Sequence, residues 1–194
     1  MTDVASLCVY CGSSDRVDQG HLAAAAELGR AAAERGIEIV FGGGRVGLMG
    51  VLADAALGAG GQVTGIIPEH LQAMEVGHNG VSRLEVVGSM HSRKMRMCEL
   101  SDAFCVLPGG LGTLDETFEI VTWKQLGLHD KPIVVVNHQG FWDPLIELID
   151  HQVAAGYVRS GYAQLFTVVD RVDQVFDTLA AAPAPTLSSD SRLM

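Results

Sequence analysis

Lysine is scarce in this chain: Lys94, Lys124 and Lys131 are the only three in 194 residues. A pyridoxal phosphate enzyme needs a Schiff-base lysine with supporting groups, and only Lys94 could be conscripted; a purified protein without aldimine absorbance removes that option. Positive charge is short overall, with 13 Lys plus Arg against 23 Asp plus Glu and a net charge of -10. That balance repels the phosphates of a long nucleic acid, so no nucleic-acid partner is expected and any phosphate ligand is small. Metal-ligand spacing is missing too. The seven histidines are scattered without a His-x-x-x-His pattern, and "CVYC" is the lone CxxC pair. An extended segment points Cys8 and Cys11 to opposite faces, so neither a metal nor a cofactor is expected. Four cysteines, Cys8, Cys11, Cys98 and Cys105, lie in or beside apolar runs, and the first residues carry no basic region followed by an uninterrupted apolar stretch. A reducing cytoplasm is the expected setting, with no membrane partner.

Glycine and apolar residues are what the chain has in quantity. With 48% hydrophobic residues it can bury one substantial core, and nothing suggests a second domain. Short apolar runs alternate with helix-length segments. "SLCVYCGSS" precedes "HLAAAAELGRAAAERG", which Gly36 closes; "IEIVFGGG" precedes "GLMGVLADAALGAG", and "GQVTGIIP" follows. "LEVVG" leads into "MHSRKMRMCELSD", "DAFCVLPGG" into "TLDETFEIVTWKQLG", and "KPIVVVN" into "DPLIELIDHQVAAG", with a last helix near "RVDQVFDTLAA". Six strands apolar throughout predict a parallel sheet with helices on both faces. The expected fold is a Rossmann-like, doubly wound α/β domain of three layers over residues 1–182, followed by a disordered tail over 183–194, rich in Ala, Pro and Ser.

The 23 glycines cluster where strands end, which is where such sheets bind ligands. "CGSS", "GGGRVGLMG", "GSMHSRK" and "PGGLGT" bring small residues, hydroxyls and two cations to one rim. "GGGRVG" matches G-x-G-x-x-G through Gly42, Gly44 and Gly47, but it follows the second strand, and the acid expected after the next strand is represented only by Glu69. A mononucleotide explains more than a dinucleotide. Glycine turns at Gly12, Ser13, Gly43, Gly44 and Gly47 would hold phosphate and sugar, with Met49 and Met90 as soft apolar surface for a base. Thr113 and Glu116 in "TLDE" fit two readings. One is a capping box that satisfies helix N–H groups; the other is an anion site beside a chemically active carboxylate.

"CVYCGSS", "GGGRVGLMG", "MHSRK" and "PGGLGTLDE" resemble the LONELY GUY family of cytokinin-activating phosphoribohydrolases, once widely labelled lysine decarboxylases. The resemblance runs in register from about residue 4 to 180. It implies a Rossmann-like homodimer that hydrolyses the N-glycosidic bond of an N6-modified AMP to the free base and ribose 5-phosphate. By that resemblance Arg93 and Glu116 are the catalytic pair, and Lys94 joins Arg93 in binding substrate. Gly110, Leu111, Gly112 and Thr113 form the phosphate cradle; Gly109, Leu114, Asp115, Glu75, Met90 and Thr122 are further substrate contacts. Asp115 replaces the glutamate often seen before the final acid, and the flanks of Glu75 depart from the commoner pattern of plant members. Glu116 is expected to be kept ionised by the helix dipole and so to be a poor general acid. The helix "ETFEIVTWKQLGL", with Phe118 and Trp123, carries apolar surface suited to a second copy. A general AMP nucleosidase and a non-catalytic nucleotide carrier are the alternatives.

Overall fold

Strand β1, Ser6–Tyr10, is buried at all five positions, as a strand must be when both faces of its sheet are covered. Its side chains alternate: Leu7 and Val9 enter one apolar cluster, Cys8 and Tyr10 the other. In the computed structural model, which describes residues 4–74, 77–158, 161 and 165–183, six more strands follow. They are β2 (Glu38–Phe41), β3 (Val63–Pro68), β4 (Arg83–Val87), β5 (Ala103–Val106), β6 (Ile133–Val136) and β7 (Thr167–Val169). The order across the sheet is β4-β3-β2-β1-β5-β6-β7, and every pairing is parallel. The fold is therefore a doubly wound α/β sheet. Its order reverses between β1 and β5, where Leu7 pairs with Ile39 on one side and Ala103 on the other.

Among the described residues seven α-helices cover the sheet: α1 (Gln19–Glu34), α2 (Gly47–Gly58), α3 (Glu69–Ala73), α4 (Met90–Glu99), α5 (Leu111–Gln125), α6 (Asp143–Ala154) and α7 (Val175–Ala181). Helices α1, α2 and α7 close one cluster through Leu28, Leu52 and Phe176, while α4, α5 and α6 close the other through Met97, Ile120 and Leu145. Cys8 and Cys11 fall in different clusters, so the sheet separates the two thiols. Helix α1 starts on the Asp18 carboxylate, which accepts the Gly20 N–H at 2.7 Å, and ends at Gly36 with φ 70°. There the N–H groups of Gly36 and Ile37 return to the carbonyls of Ala33 and Ala32, the geometry that favours glycine after a helix. Close approach of α1 to α2 depends on Gly29, where a Cβ would overlap the Leu52 carbonyl.

Two sets of bonds tie β1 to β5. At the base, the Asp102 carboxylate accepts the N–H groups of Ala5 and Ser6 and the Ser6 hydroxyl, each at 3.0 Å. At the top, the Gly12 N–H reaches the Pro108 carbonyl at 3.0 Å and holds the two loops together at the reversal of strand order.

The described structure adds two elements to those expected from sequence. Helix α3 has no buried residue and so no apolar stripe to read. Strand β7 is three residues long, and only Val169 in it is buried. Helix α5 begins at Leu111 rather than Thr113, after Gly110, which has no side chain to cap with. Pro183 ends the described chain, and the remainder of the expected 183–194 tail lies outside the described residues.

Candidate active site

A cavity of about 510 Å³ opens above the carboxyl ends of β1, β2, β3 and β5, within the size range of small-molecule sites. Cys11, Gly12 and Ser13 form one wall, Gly42, Gly44, Val46 and Met49 a second, and Ile67 with Leu71 a third. The loop and first turns of α5 supply Gly110, Leu111, Gly112, Thr113 and Glu116, and α4 supplies Arg93. Bare glycines at the turns let a ligand approach the backbone closely, and the start of α5, which no side chain caps, turns its positive end toward the space.

The turns are built on close backbone approach. Gly43 and Gly47 take φ of 75° and 68°, and a Cβ on Gly47 would overlap the Ser13 and Ser14 backbone. The β2 turn is braced from outside: Gly44 bridges Gly77, and the His78 N–H reaches the Gly43 carbonyl at 2.8 Å. Gly109 lies behind the α5 turn, where a Cβ would strike the Thr113 hydroxyl.

Arg93 and Glu116 meet where these walls join. The Nη1 of Arg93 lies 3.1 Å from Oε1 of Glu116, and both side chains are more than nine-tenths buried. Arg93 also donates through Nε to the Ile66 carbonyl at 3.1 Å and through Nη2 to the Gly42 carbonyl at 3.4 Å. Three of the five N–H groups of its fork are thus committed to protein atoms. Helix α4 delivers Arg93 because Ser89 caps its start, accepting the Ser92 N–H at 3.1 Å.

The Glu116 carboxyl is not held ionised by the helix terminus, as the sequence led us to expect. Burial is the largest influence and pushes it up to about 7; Arg93 pulls the other way, Asp115 and Glu119 add to the rise, and Lys94 opposes it. The dipole effect fades within the first turn, and Glu116 is the sixth residue of α5. Nor does a capping box form: Thr113 is the third helical residue, and no side chain caps α5.

The remaining predicted residues divide. Lys94 lies beside Arg93 but turns its ammonium away from the cavity, 3.0 Å from Asp115 and 3.1 Å from Glu119, tying α4 to α5. Met90, Gly43, Gly47, Gly109, Leu114, Asp115 and Thr122 do not line the cavity. Thr122 and Asp115 are exposed, and Met90 is half-buried at the start of α4. Glu75 lies outside the described residues. Sequence reasoning missed Cys11, Val46, Ile67 and Leu71 as lining residues, and Gly42 beyond its place in the glycine motif. Ile67 and Leu71 carry no local signal, since they reach the cavity only because β3 runs straight into the short helix α3.

A carboxyl poised near neutrality, a fixed guanidinium and a glycine-lined anion end can together stabilise a cationic sugar, hold a phosphate and exclude bulk water.

Comparison with known proteins shows the family and the fold. A family model described as "Possible lysine decarboxylase" matches residues 49–179. A cytokinin riboside 5'-monophosphate phosphoribohydrolase of Rhodococcoides fascians is 46% identical over 154 residues, covering 79% of this chain and 78% of that one. A probable enzyme of the same name from rice, Oryza sativa subsp. japonica, is 44% identical over 161 residues, covering 82% and 71%. Among solved structures, the Moco carrier protein of Chlamydomonas reinhardtii superposes with a TM-score of 0.69 over 92% of this chain and 96% of that one; at 22% identity the likeness is one of fold. The chain belongs to the family that this model describes, the LONELY GUY family of cytokinin riboside 5'-monophosphate phosphoribohydrolases.

Proposed function

We infer that this chain hydrolyses the N-glycosidic bond of an N6-modified AMP, releasing the free cytokinin base and ribose 5-phosphate. The observation that carries the reading is the buried Arg93–Glu116 pair at one end of a glycine-lined cavity. The names of the relatives supply the substrate class. Gly110, Leu111, Gly112 and Thr113 present the phosphate with the N–H groups of the α5 start, and Gly12 and Ser13 close on the ribose from the opposite side. Val46, Met49, Ile67 and Leu71 form the apolar wall for the base and its N6 substituent.

Cleavage breaks the bond from the ribose anomeric carbon to the base; the electron pair leaves with the base, and water supplies hydroxide to the sugar and a proton to the base. Positive charge grows on the ribose as the bond lengthens. The ionised form of Glu116 faces that charge. Arg93 keeps the carboxylate available against the burial that would neutralise it, so its contribution runs through Glu116. Lys94 supports the pair from outside by holding α4 on α5.

A homodimer in a reducing cytoplasm completes the proposal. Leu111 and Phe118 of α5 and Leu126 just after it are exposed, whereas Trp123 packs against the core. All four cysteines are buried and free, and no helix among the described residues is long and apolar enough to cross a membrane.

The test is incubation with isopentenyladenosine 5'-monophosphate, AMP and isopentenyladenosine, with chromatography of the products. Free base from the N6-modified monophosphate alone is the expected result. Equal release from AMP makes the protein a general nucleosidase, equal release from the riboside shows the phosphate cradle misread, and binding without release makes it a carrier.

A further inference from the structure

Gly42 follows β2, is buried, and has a φ outside the left-handed region, unlike Gly43 beside it. Its backbone conformation therefore does not require glycine. Space does: a Cβ built on Gly42 would fall inside the Arg93 guanidinium, and the three nearest heavy atoms all belong to that one side chain. The guanidinium has nowhere better to stand. It gives Nη2–H to the carbonyl of Gly42 itself, Nε–H to Ile66 and Nη1–H to Glu116, so any shift that admits a methyl group disturbs three bonds together.

We propose that Gly42 is a positioning residue for the reaction, its missing side chain keeping open the one place from which Arg93 can face Glu116. The glycine-rich β2 turn then has a second duty besides close approach to a ligand: it admits an arginine from α4 into the sheet end. The inference rests on the reading of Arg93 and Glu116 as the working pair, yet it is testable without turnover.

Glu116 reports on the arrangement because Arg93 is its ion-pair partner. The other charged or titratable groups around it are Lys94 from α4, Asp115 and Glu119 on α5, and Cys8, Tyr10 and Cys11 from β1 and its loop. None of these is among the heavy atoms nearest a Cβ on Gly42, which all belong to Arg93. The experiment is a carbon-13 NMR titration of the Glu116 carboxyl in glutamate-labelled protein without substrate, with the signal assigned by its loss in Glu116→Gln. In Gly42→Ala the midpoint should rise by about one pH unit or more, as it should in Arg93→Ala, because an opposite charge at this range shifts a carboxyl by about that much. In the double variant Gly42→Ala/Arg93→Ala the glycine change should add nothing, since the space is already empty. A midpoint unmoved in Gly42→Ala overturns the proposal, as does a Gly42→Ala shift that persists without Arg93. Should Gly42→Ala alone fail to fold, a double variant that folds as well as Arg93→Ala supports the proposal, and one that also fails to fold overturns it. Base release plays no part in the titration, so loss of the proposed activity and loss of this inference are separate outcomes.

Discussion

At neutral pH Glu116 is divided between its two protonation states, because burial lifts its carboxyl from 4.5 to about 7. The folded protein then binds more protons at this group than the unfolded chain does between those values, so its contribution to stability is complete below 4.5 and is lost as pH rises through about 7. Melting curves of wild type and Glu116→Gln taken from pH 4 to 8 should therefore diverge: wild type loses up to about 3 kcal/mol relative to the variant across the window. Parallel curves would contradict the burial argument. Activity has the opposite sign in the proposed reaction, where the ionised carboxylate faces the ribosyl cation. We expect kcat/KM to fall about tenfold per unit as pH drops below about 7, and Glu116→Gln to lose about 10²-fold or more in turnover with its fold intact. A limb on the alkaline side instead would give Glu116 the role of proton donor.

Helix α4 carries both Arg93 and Lys94 and begins on the Ser89 hydroxyl, which accepts the Ser92 N–H and is also bonded to the Ser92 hydroxyl. Ser89→Ala should cost about 1 kcal/mol and lower Tm by about 2–4 °C, while turnover at 25 °C is kept, because Arg93 is anchored independently at Ile66 and Gly42. A large loss of turnover without loss of Tm would show that the cap orients the arginine. At this scale the sequence was most legible where period and punctuation coincide: the alanine stripe of α1 between Asp18 and Gly36, or the unbroken apolar runs of β1 and β5. It was silent where an element borrows its existence from neighbours. Strand β7 exists by pairing with β6, and the five residues of α3 bury nothing. The start of α5 hides in Gly110, Leu111 and Gly112, residues that read as turn. The Arg93–Glu116 pairing was inferred from resemblance, but the proton affinity of Glu116 was beyond local reasoning, for the titratable groups around it come from β1 and its loop, α4 and α5 together.

For the whole molecule, the exposed surface formed by Leu111 and Phe118 of α5 and Leu126 just after it is the one we expect a second copy to cover. Light scattering at micromolar concentration should give twice the 20.5 kDa of one chain, and Phe118→Glu should return the monomer mass while melting stays cooperative. A wild-type mass near 20.5 kDa would defeat the dimer.

The bonding of β1 to β5 bears on how the chain reaches this state. Ala5 and Asp102 are 97 residues apart, so joining them means closing a long loop before any contact rewards it. Strands β2, β3 and β4 can each be laid beside the previous one as the chain lengthens, but the other flank of β1 stays open until β5 has been made. During synthesis from the N-terminus, a half-sheet of four strands waits with the apolar face and free edge of its first strand uncovered. The reversal of strand order that creates the ligand crevice also makes folding of the second half slow and exposes the first half to aggregation, so refolding yield should fall with protein concentration before native stability does.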